Sequence, residues 1–243
     1  MTKHLHPSWY YSLYDSVFAG CRDYAREIEL ISTKCTISGS TVREIGAGTG
    51  KHSELILARS PSKLQLVDID DQAIRILEHK FSGHENVDIV HADGFSPNGI
   101  LNGHQHLVIA MFSIIQQVAS FDSFIERLAN VINSLAQDGI FAFEYIDYDV
   151  NRSIYEGYSR TIVLHNDNVQ IFVESSFQDL ITTVTYSGKI GCAPIKYSVD
   201  LLNVTQRDID CFVGGLQHSC SHLNISMHGR RKICFISGLL HGS

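Results

Sequence analysis

The stretch Arg43-Glu44-Ile45-Gly46-Ala47-Gly48-Thr49-Gly50-Lys51-His52 joins a short apolar run, residues 41–46, to a helical pattern through three glycines at alternate positions. Glycines so placed let the backbone turn sharply and approach a ligand, offering amide groups and a helix N-terminus to negatively charged atoms. A nucleotide-kinase loop requires Ser or Thr after Gly-Lys, and His52 follows Lys51 here. Dinucleotide-binding turns prefer G-x-G-x-x-G, whereas this spacing is G-x-G-x-G.

Four further apolar runs, at 64–68, 87–91, 107–111 and 140–145, alternate with helical stretches, which implies crossover connections and a parallel sheet. The clearest crossover helix is expected over about 122–137, with Ile125, Leu128, Ala129, Ile132 and Leu135 on one stripe and Gly139 as its stop. One or two amphipathic helices precede the sheet, over residues 9–37. Beyond residue 160 the period changes to two. Antiparallel strands are expected at 161–164, 169–177, 180–187 and 195–201, punctuated by His165-Asn166-Asp167-Asn168 and by Gly188. Thr205-x-x-Asp208 starts a last helix ending at Gly214-Gly215, and strands at 223–228 and 232–239 close the chain around a turn at 229–231. Arg230-Arg231-Lys232 is then a solvated turn.

The chain has 243 residues and 19 Lys and Arg against 26 Asp and Glu, a net charge of −7 that argues against a general nucleic-acid binder. No run approaches the length of a membrane span, and the first twenty residues lack the apolar core of a signal peptide, so a cytoplasmic protein is expected. Six cysteines with no C-x-x-C pair are expected to be reduced thiols. His218-x-Cys220-x-His222, with His228, is read as ordinary strand alternation, and no metal site is expected.

Two acids stand in register with the glycine turn. Asp68 ends the second strand in Leu66-Val67-Asp68-Ile69-Asp70, where a carboxylate can accept from both hydroxyls of a ribose. Asp93 follows the third in Val90-His91-Ala92-Asp93-Gly94, where it can accept from an adenine amino group.

These elements together, E-x-G-x-G-x-G, V-D-I-D, H-A-D-G and L-V-I-A-M-F-S, resemble the class I S-adenosylmethionine-dependent methyltransferases over most of the chain. Leu13-Tyr14-Asp15, Arg22-Asp23-Tyr24 and the terminal Gly229-Arg230-x(3)-Cys234-Phe235-Ile236 are similar to small-molecule N-methyltransferases of the aminosugar N,N-dimethyltransferase and glycine N-methyltransferase group. His106 and Glu144-Tyr145-Ile146-Asp147 depart from that pattern. The resemblance implies an α/β, Rossmann-like, doubly wound and mostly parallel seven-stranded sheet with N-terminal helices and an added antiparallel sheet. It implies an N-terminal helical lid over 1–40, a donor-binding core over 41–147 and 203–243, and a β insertion at 148–202 shaping the substrate pocket. The implied cofactor is S-adenosylmethionine, with S-adenosylhomocysteine as product. Its implied contacts are Tyr24, Glu44, Gly46, Ala47, Gly48, Gly50, Asp68, Ile69, Asp93, Gly94 and Met111, with Phe112 alongside. Tyr14 is expected to close over the methyl-transfer site and Glu144 to bind an amine or accept a proton.

The leading expectation is N-methylation of a small metabolite, an amine or a nitrogen heterocycle, with neither nucleic acid nor membrane as partner; a homodimer is compatible with the sequence. O-methylation, donor binding without catalysis, and dinucleotide-dependent oxidoreduction are the rival readings.

Overall fold

The computed structural model describes residues 6–7, 9–18, 22–96, 105–150, 159–164, 169–225 and 231–237. Two helices, α1 (Trp9–Phe18) and α2 (Tyr24–Ser32), lead into β1 (Thr41–Ile45), α3 (Lys51–Leu57), β2 (Lys63–Asp68), α4 (Asp71–Lys80), β3 (Val87–His91) and β4 (Gln105–Ala110). A short 3-10 turn (Ile114–Gln116), α5 (Phe121–Ile132) and β5 (Leu135–Ile146) follow. Next come β6 (Ser159–Leu164), β7 (Val169–Gln178), β8 (Ile181–Ile190), β9 (Ala193–Leu202), α6 (Gln206–Gly215), β10 (Ser219–Asn224) and β11 (Arg231–Ser237).

Seven strands form one sheet in the order β10-β11-β5-β4-β1-β2-β3, parallel except for β11, which pairs antiparallel with β5 and with β10. Alternation along each strand serves two faces. Val42, Leu66, Leu107, Ile109, Ala142 and Ile233 pack against α2, α3 and α4. Val108, Ala110, Phe141, Phe143, Tyr145 and Ile236 pack against Phe124, Leu128 and Val131 of α5 and Ile209 and Val213 of α6. Burying both faces explains why the parallel strands read as nearly continuous apolar runs.

Strands β6 to β9 form a separate four-stranded antiparallel meander. Its inner face, Val169, Ile171, Val173 and Ile195, receives Leu13 and Val17 of α1. At its other side α1 meets the glycine turn through polar tethers: the Thr49 hydroxyl donates to Asp15 at 2.7 Å, and Lys51 lies 3.5 Å from the same carboxylate.

Several boundaries differ from the sequence reading. The crossover helix ends at Ile132 because Ser134 folds both its amide and its hydroxyl onto the Val131 carbonyl, and Leu135 is already paired with Gln105 as strand. Its buried residues are Phe124, Leu128, Val131 and Ile132, so Leu128 and Ile132 of the expected stripe are buried, whereas Phe124 and Val131 are buried in place of Ile125 and Ala129. Gly139 lies inside β5 rather than at a helix stop. Gly188 is not punctuation either, for it sits within β8, where an added Cβ would fall 1.9 Å from the Gln170 carbonyl oxygen. The true turns are Asp179-Leu180 and Gly191-Cys192. The last hairpin starts earlier than expected, at Ser219, and Arg231 belongs to β11 and not to the turn. Residues 165–168, 228–230 and 238–239 lie outside the described residues. Thr205 and Asp208 do form the expected reciprocal cap, the Asp208 amide donating to the Thr205 hydroxyl at 3.1 Å and the Thr205 amide to Asp208 at 2.9 Å. No helix among the described residues is long and apolar enough to cross a membrane.

Candidate active site

The strand order changes direction between β1 and β4, and in an open α/β sheet the crevice for a ligand lies beyond the C-terminal strand ends at such a point. Here the ends of β1, β2 and β3 are stitched together by backbone bonds. The Gly46 amide donates to the Val67 carbonyl at 2.7 Å, and the Ala92 amide to the Asp68 carbonyl at 3.0 Å. Beyond them opens a cavity of about 530 Å³, inside the range usual for small-molecule sites.

One half of the cavity is polar and narrow. Gly46, Gly48 and Gly50 all have positive φ, between 56° and 75°, so the turn requires glycine, and Gly46 and Gly48 line the cavity. Asp68 accepts from the amides of Gly48 at 2.8 Å and Asp70 at 2.9 Å. Burial raises the pKa of this carboxyl, and the two amides offset part of that rise. Next to it Ile69 is unusually exposed for a large apolar residue, at 45%, and its exposed surface faces the cavity. Asp93 accepts from the Phe95 amide at 3.0 Å, which fixes its carboxylate at the mouth of β3. Gly94 completes this wall.

The other half is aromatic. Tyr14 lies 4.8 Å from Phe18 and 5.2 Å from both Tyr10 and Phe112, measured between ring centroids. Tyr186 and Tyr197 of the antiparallel sheet stack at 6.3 Å on the far side, with Val173, Val184 and Val199 around them. Burial raises the Tyr14 pKa, as does Tyr10, while Arg22 lowers it; the net rise keeps the hydroxyl protonated. The phenol is therefore held in its neutral form, able to donate a hydrogen bond into the cavity.

Between the halves lies a buried charge cluster. Arg22 donates through Nη1 to both oxygens of Glu144, at 2.9 and 2.7 Å, and through Nη2 to Glu27 at 2.7 Å. Its guanidinium sits 3.8 Å from the Phe112 ring centroid. Arg231 closes the cluster, 3.3 Å from Glu27 and 3.6 Å from Glu144. His52 shares Glu27 at 2.8 Å, and burial lowers its pKa against the opposing pull of that carboxylate. Glu144 also accepts from the Phe112 amide at 3.0 Å. Phe112 and Ser113 have φ of 58° and 55°, a strained conformation for non-glycine residues that costs about 1–3 kcal/mol each.

The geometry sorts the expected site residues. Tyr14, Gly46, Gly48, Asp68, Ile69, Asp93, Gly94 and Glu144 line the cavity, together with Phe112. Tyr24, Glu44, Ala47, Gly50 and Met111 do not. Tyr24 packs edge-on against His52, Ala47 and Met111 belong to the core, and Gly50 caps α3. Glu44 lies beneath the turn, accepting from the Ser53 hydroxyl, and burial pushes its pKa up to about 8. Glu144, expected to bind an amine or accept a proton, is 1% exposed, and its oxygens are engaged by two arginines and an amide. The sequence reading quoted Arg22 without a role and placed Arg231 in a solvated turn, yet both line the cavity. Arg22 gave no distinguishing signal, since it stands between α1 and α2 among other charged residues, Asp23, Arg26 and Glu27. Tyr186 and Tyr197 gave none, since alternate residues of any strand look alike until its partner face is known.

No model of a known protein family matches the chain. Over 72 residues it is 39% identical to the ribosomal RNA small subunit methyltransferase A of Sulfurihydrogenibium sp. (strain YO3AOP1), a match spanning 29% of this chain and 28% of that protein. Solved structures agree over nearly the whole length. An S-adenosylmethionine-dependent methyltransferase from Clostridium acetobutylicum ATCC 824 superposes with a TM-score of 0.79 at 15% identity, covering 93% of this chain and 96% of that one. S-adenosylmethionine-bound CalS10, an amino pentose methyltransferase from Micromonospora echinaspora, gives 0.73 at 16% identity, covering 96% and 100%. The sugar N-methyltransferase KedS8 from Streptoalloteichus sp ATCC 53650 gives 0.69 at 14% identity, covering 93% and 92%. The fold is that of the S-adenosylmethionine-dependent methyltransferases. The superpositions cover the added antiparallel sheet as well as the seven-stranded one, since each spans at least 93% of this chain.

Proposed function

We propose that this protein transfers the methyl group of S-adenosylmethionine to a nitrogen atom of a small metabolite, an amine or a nitrogen heterocycle. One observation carries the reading: a single cavity joins a nucleoside-shaped polar half to an aromatic half, with a buried arginine between them. The polar half fits the donor by its chemistry. Asp68 offers acceptor lone pairs to ribose hydroxyls, Asp93 an acceptor to the adenine amino group, and Ile69 an apolar face to the base. Arg22 Nε is buried and meets no acceptor among the described residues, so a carboxylate entering beside the glycine turn would satisfy it.

When bound, the donor supplies a sulfonium methyl that is displaced in line by a lone pair, a reaction governed by alignment and exclusion of water. The chain's own contribution is positional. Phe112, clamped by Glu144 and by the guanidinium over its ring, holds the boundary between the two halves. Tyr14 orients the acceptor through its hydroxyl. The walls formed by Tyr10, Phe18, Tyr186, Tyr197 and the valines desolvate an incoming amine, which favours its neutral form, the one with a free lone pair. The acids lining the cavity, Asp68, Asp93 and Glu144, all sit at the ends of β2, β3 and β5 and not in the aromatic half. The amine thus enters the aromatic half in its neutral form, its proton left with bulk water, and none of the three lining carboxylates is assigned as its base. The neighbours described as an amino pentose methyltransferase and a sugar N-methyltransferase support nitrogen as acceptor.

The experiment is incubation with methyl-labelled S-adenosylmethionine and a pool of small metabolites, followed by mass spectrometry and calorimetry with the donor alone. A labelled product fragmenting to an N-methyl group is the expected result. An O-methyl product would move the acceptor to oxygen, and the absence of donor binding would overturn the reading.

A further inference from the structure

The β10–β11 hairpin and α6 carry a second cluster, remote from the cavity. Cys220 and His222 are two apart on β10 and so share one face of the sheet, and Cys234 of β11 stands directly opposite His222. The ligand atoms of these three residues lie within 4.8 Å of one another. From α6, Asp210 brings Oδ1 to 3.0 Å from Cys220 Sγ and 2.9 Å from His222 Nε2, while that Sγ and Nε2 are 3.7 Å apart. The remaining ring nitrogen, Nδ1, is held 2.9 Å from the Tyr145 hydroxyl. None of the four lines the cavity.

Two thiols, an imidazole and a carboxylate make up a donor set that suits a borderline-soft divalent ion. With bonds of about 2.0–2.3 Å to a tetrahedral centre, donor atoms sit roughly 3.3–3.8 Å apart. The three distances joining Asp210, Cys220 and His222 fall within about 0.5 Å of that range, and Cys234 Sγ, within 4.8 Å of the Cys220 and His222 ligand atoms, closes on the same point by side-chain rotation. The fixed outer nitrogen of His222 is the arrangement a metal-bound imidazole requires, since the outer bond sets the ring's orientation. A cysteine serving only to fill the core needs no polar partner, whereas here a thiol and an imidazole converge on one carboxylate oxygen.

We propose that Cys220, His222, Cys234 and Asp210 bind one zinc ion, which ties α6 to the last hairpin of the sheet. The site is structural: all four positions are filled by protein, both thiols give up their protons on binding, and no position is left for a substrate. Spacing along the chain concealed it, because the ligands come from one helix and two strands.

The test is metal content of the reduced, dialysed protein, with cobalt(II) titration as the spectroscopic probe. One equivalent of zinc and the visible absorption of tetrahedral thiolate-bound cobalt, saturating at one equivalent, are expected. Cys220→Ser and His222→Ala, both at partly exposed positions, should lose the cobalt band and weaken zinc affinity at least tenfold. Far-UV circular dichroism verifies that they are folded, and added zinc should raise the melting temperature of the wild type alone. The proposal is overturned if the wild type takes up neither metal, if folded variants bind as the wild type does, or if thiol titration finds Cys220 and Cys234 joined as a disulfide.

Discussion

Replacing Glu144 by Gln separates a clamp from a catalytic base. The cluster holds two cations, Arg22 and Arg231, and two carboxylates, Glu27 and Glu144, so its formal charges cancel. The side chains of Arg22, Glu27 and Glu144 are 2–3% exposed and that of Arg231 is 20% exposed. Glu144→Gln leaves one buried positive charge uncompensated, and breaking a buried pair in this way costs about 3–5 kcal/mol. Partial exposure of Arg231 moves the expectation toward the lower end. For a chain of this size each kcal/mol lowers the melting temperature by about 2–4 °C, so a fall of roughly 6–16 °C is expected. Thermal melts at neutral pH, together with turnover measured well below the melting point, check it. A variant melting within about 2 °C of the wild type would refute the clamp. If that variant also lost turnover by two orders of magnitude or more, Glu144 would be a base instead.

Asp68→Ala removes the carboxylate assigned to the ribose and frees two amides, and calorimetry should show donor affinity weakened tenfold or more, equivalent to about 1.4 kcal/mol. Tyr14→Phe keeps the ring contacts and loses only the hydroxyl; kcat should fall while donor affinity stays unchanged, and equal losses in both would contradict the orienting role. Gly188→Ala drives a methyl into the Gln170 carbonyl and should destabilise the protein by about 1–3 kcal/mol in urea unfolding. Glu44 has a folded pKa of about 8 against an ordinary 4.5, so the native state holds the extra proton between those values and loses stability as pH rises through them. Glu44→Gln abolishes that term, and its melting temperature should gain on the wild type progressively from pH 5 to pH 8.

The polar half of the cavity was legible because its parts are local. A glycine turn and a carboxylate at or just past a strand end keep their meaning wherever the strand is placed, so Gly46, Gly48, Asp68 and Asp93 could be placed at one cavity before the sheet was built. The charge cluster between the halves is assembled from residues distant in sequence. Arg22 meets Glu144 across 122 positions, and Arg231 meets Glu27 across 204. Neither pairing leaves a periodic trace, and Arg231, in a run of basic residues, reads as surface. The fold was clear from alternating apolar runs, but the boundary errors cluster where an apolar residue suits two periods. Leu135 fits a helix stripe and a strand equally well, and the Ser134 hydroxyl decides the matter. Glu44 shows the opposite failure: its place in the motif suggested the ligand, while its side chain turns below the turn to Ser53.

Helix α1 is sunk into the antiparallel sheet, touches Phe112 through Tyr14 and Phe18, and is latched to the glycine turn by charge. Its leucine and valine are sunk in the antiparallel sheet, each such burial contributing about 1.5–3 kcal/mol, whereas its hold on the glycine turn is a hydroxyl and an ammonium around Asp15. A seam made of solvent-accessible ionic contacts gives way before an oily one, and it weakens as salt is added. Added salt is therefore expected to loosen the Asp15 latch while leaving the apolar seating of the helix, and with it the aromatic wall of the cavity, in place.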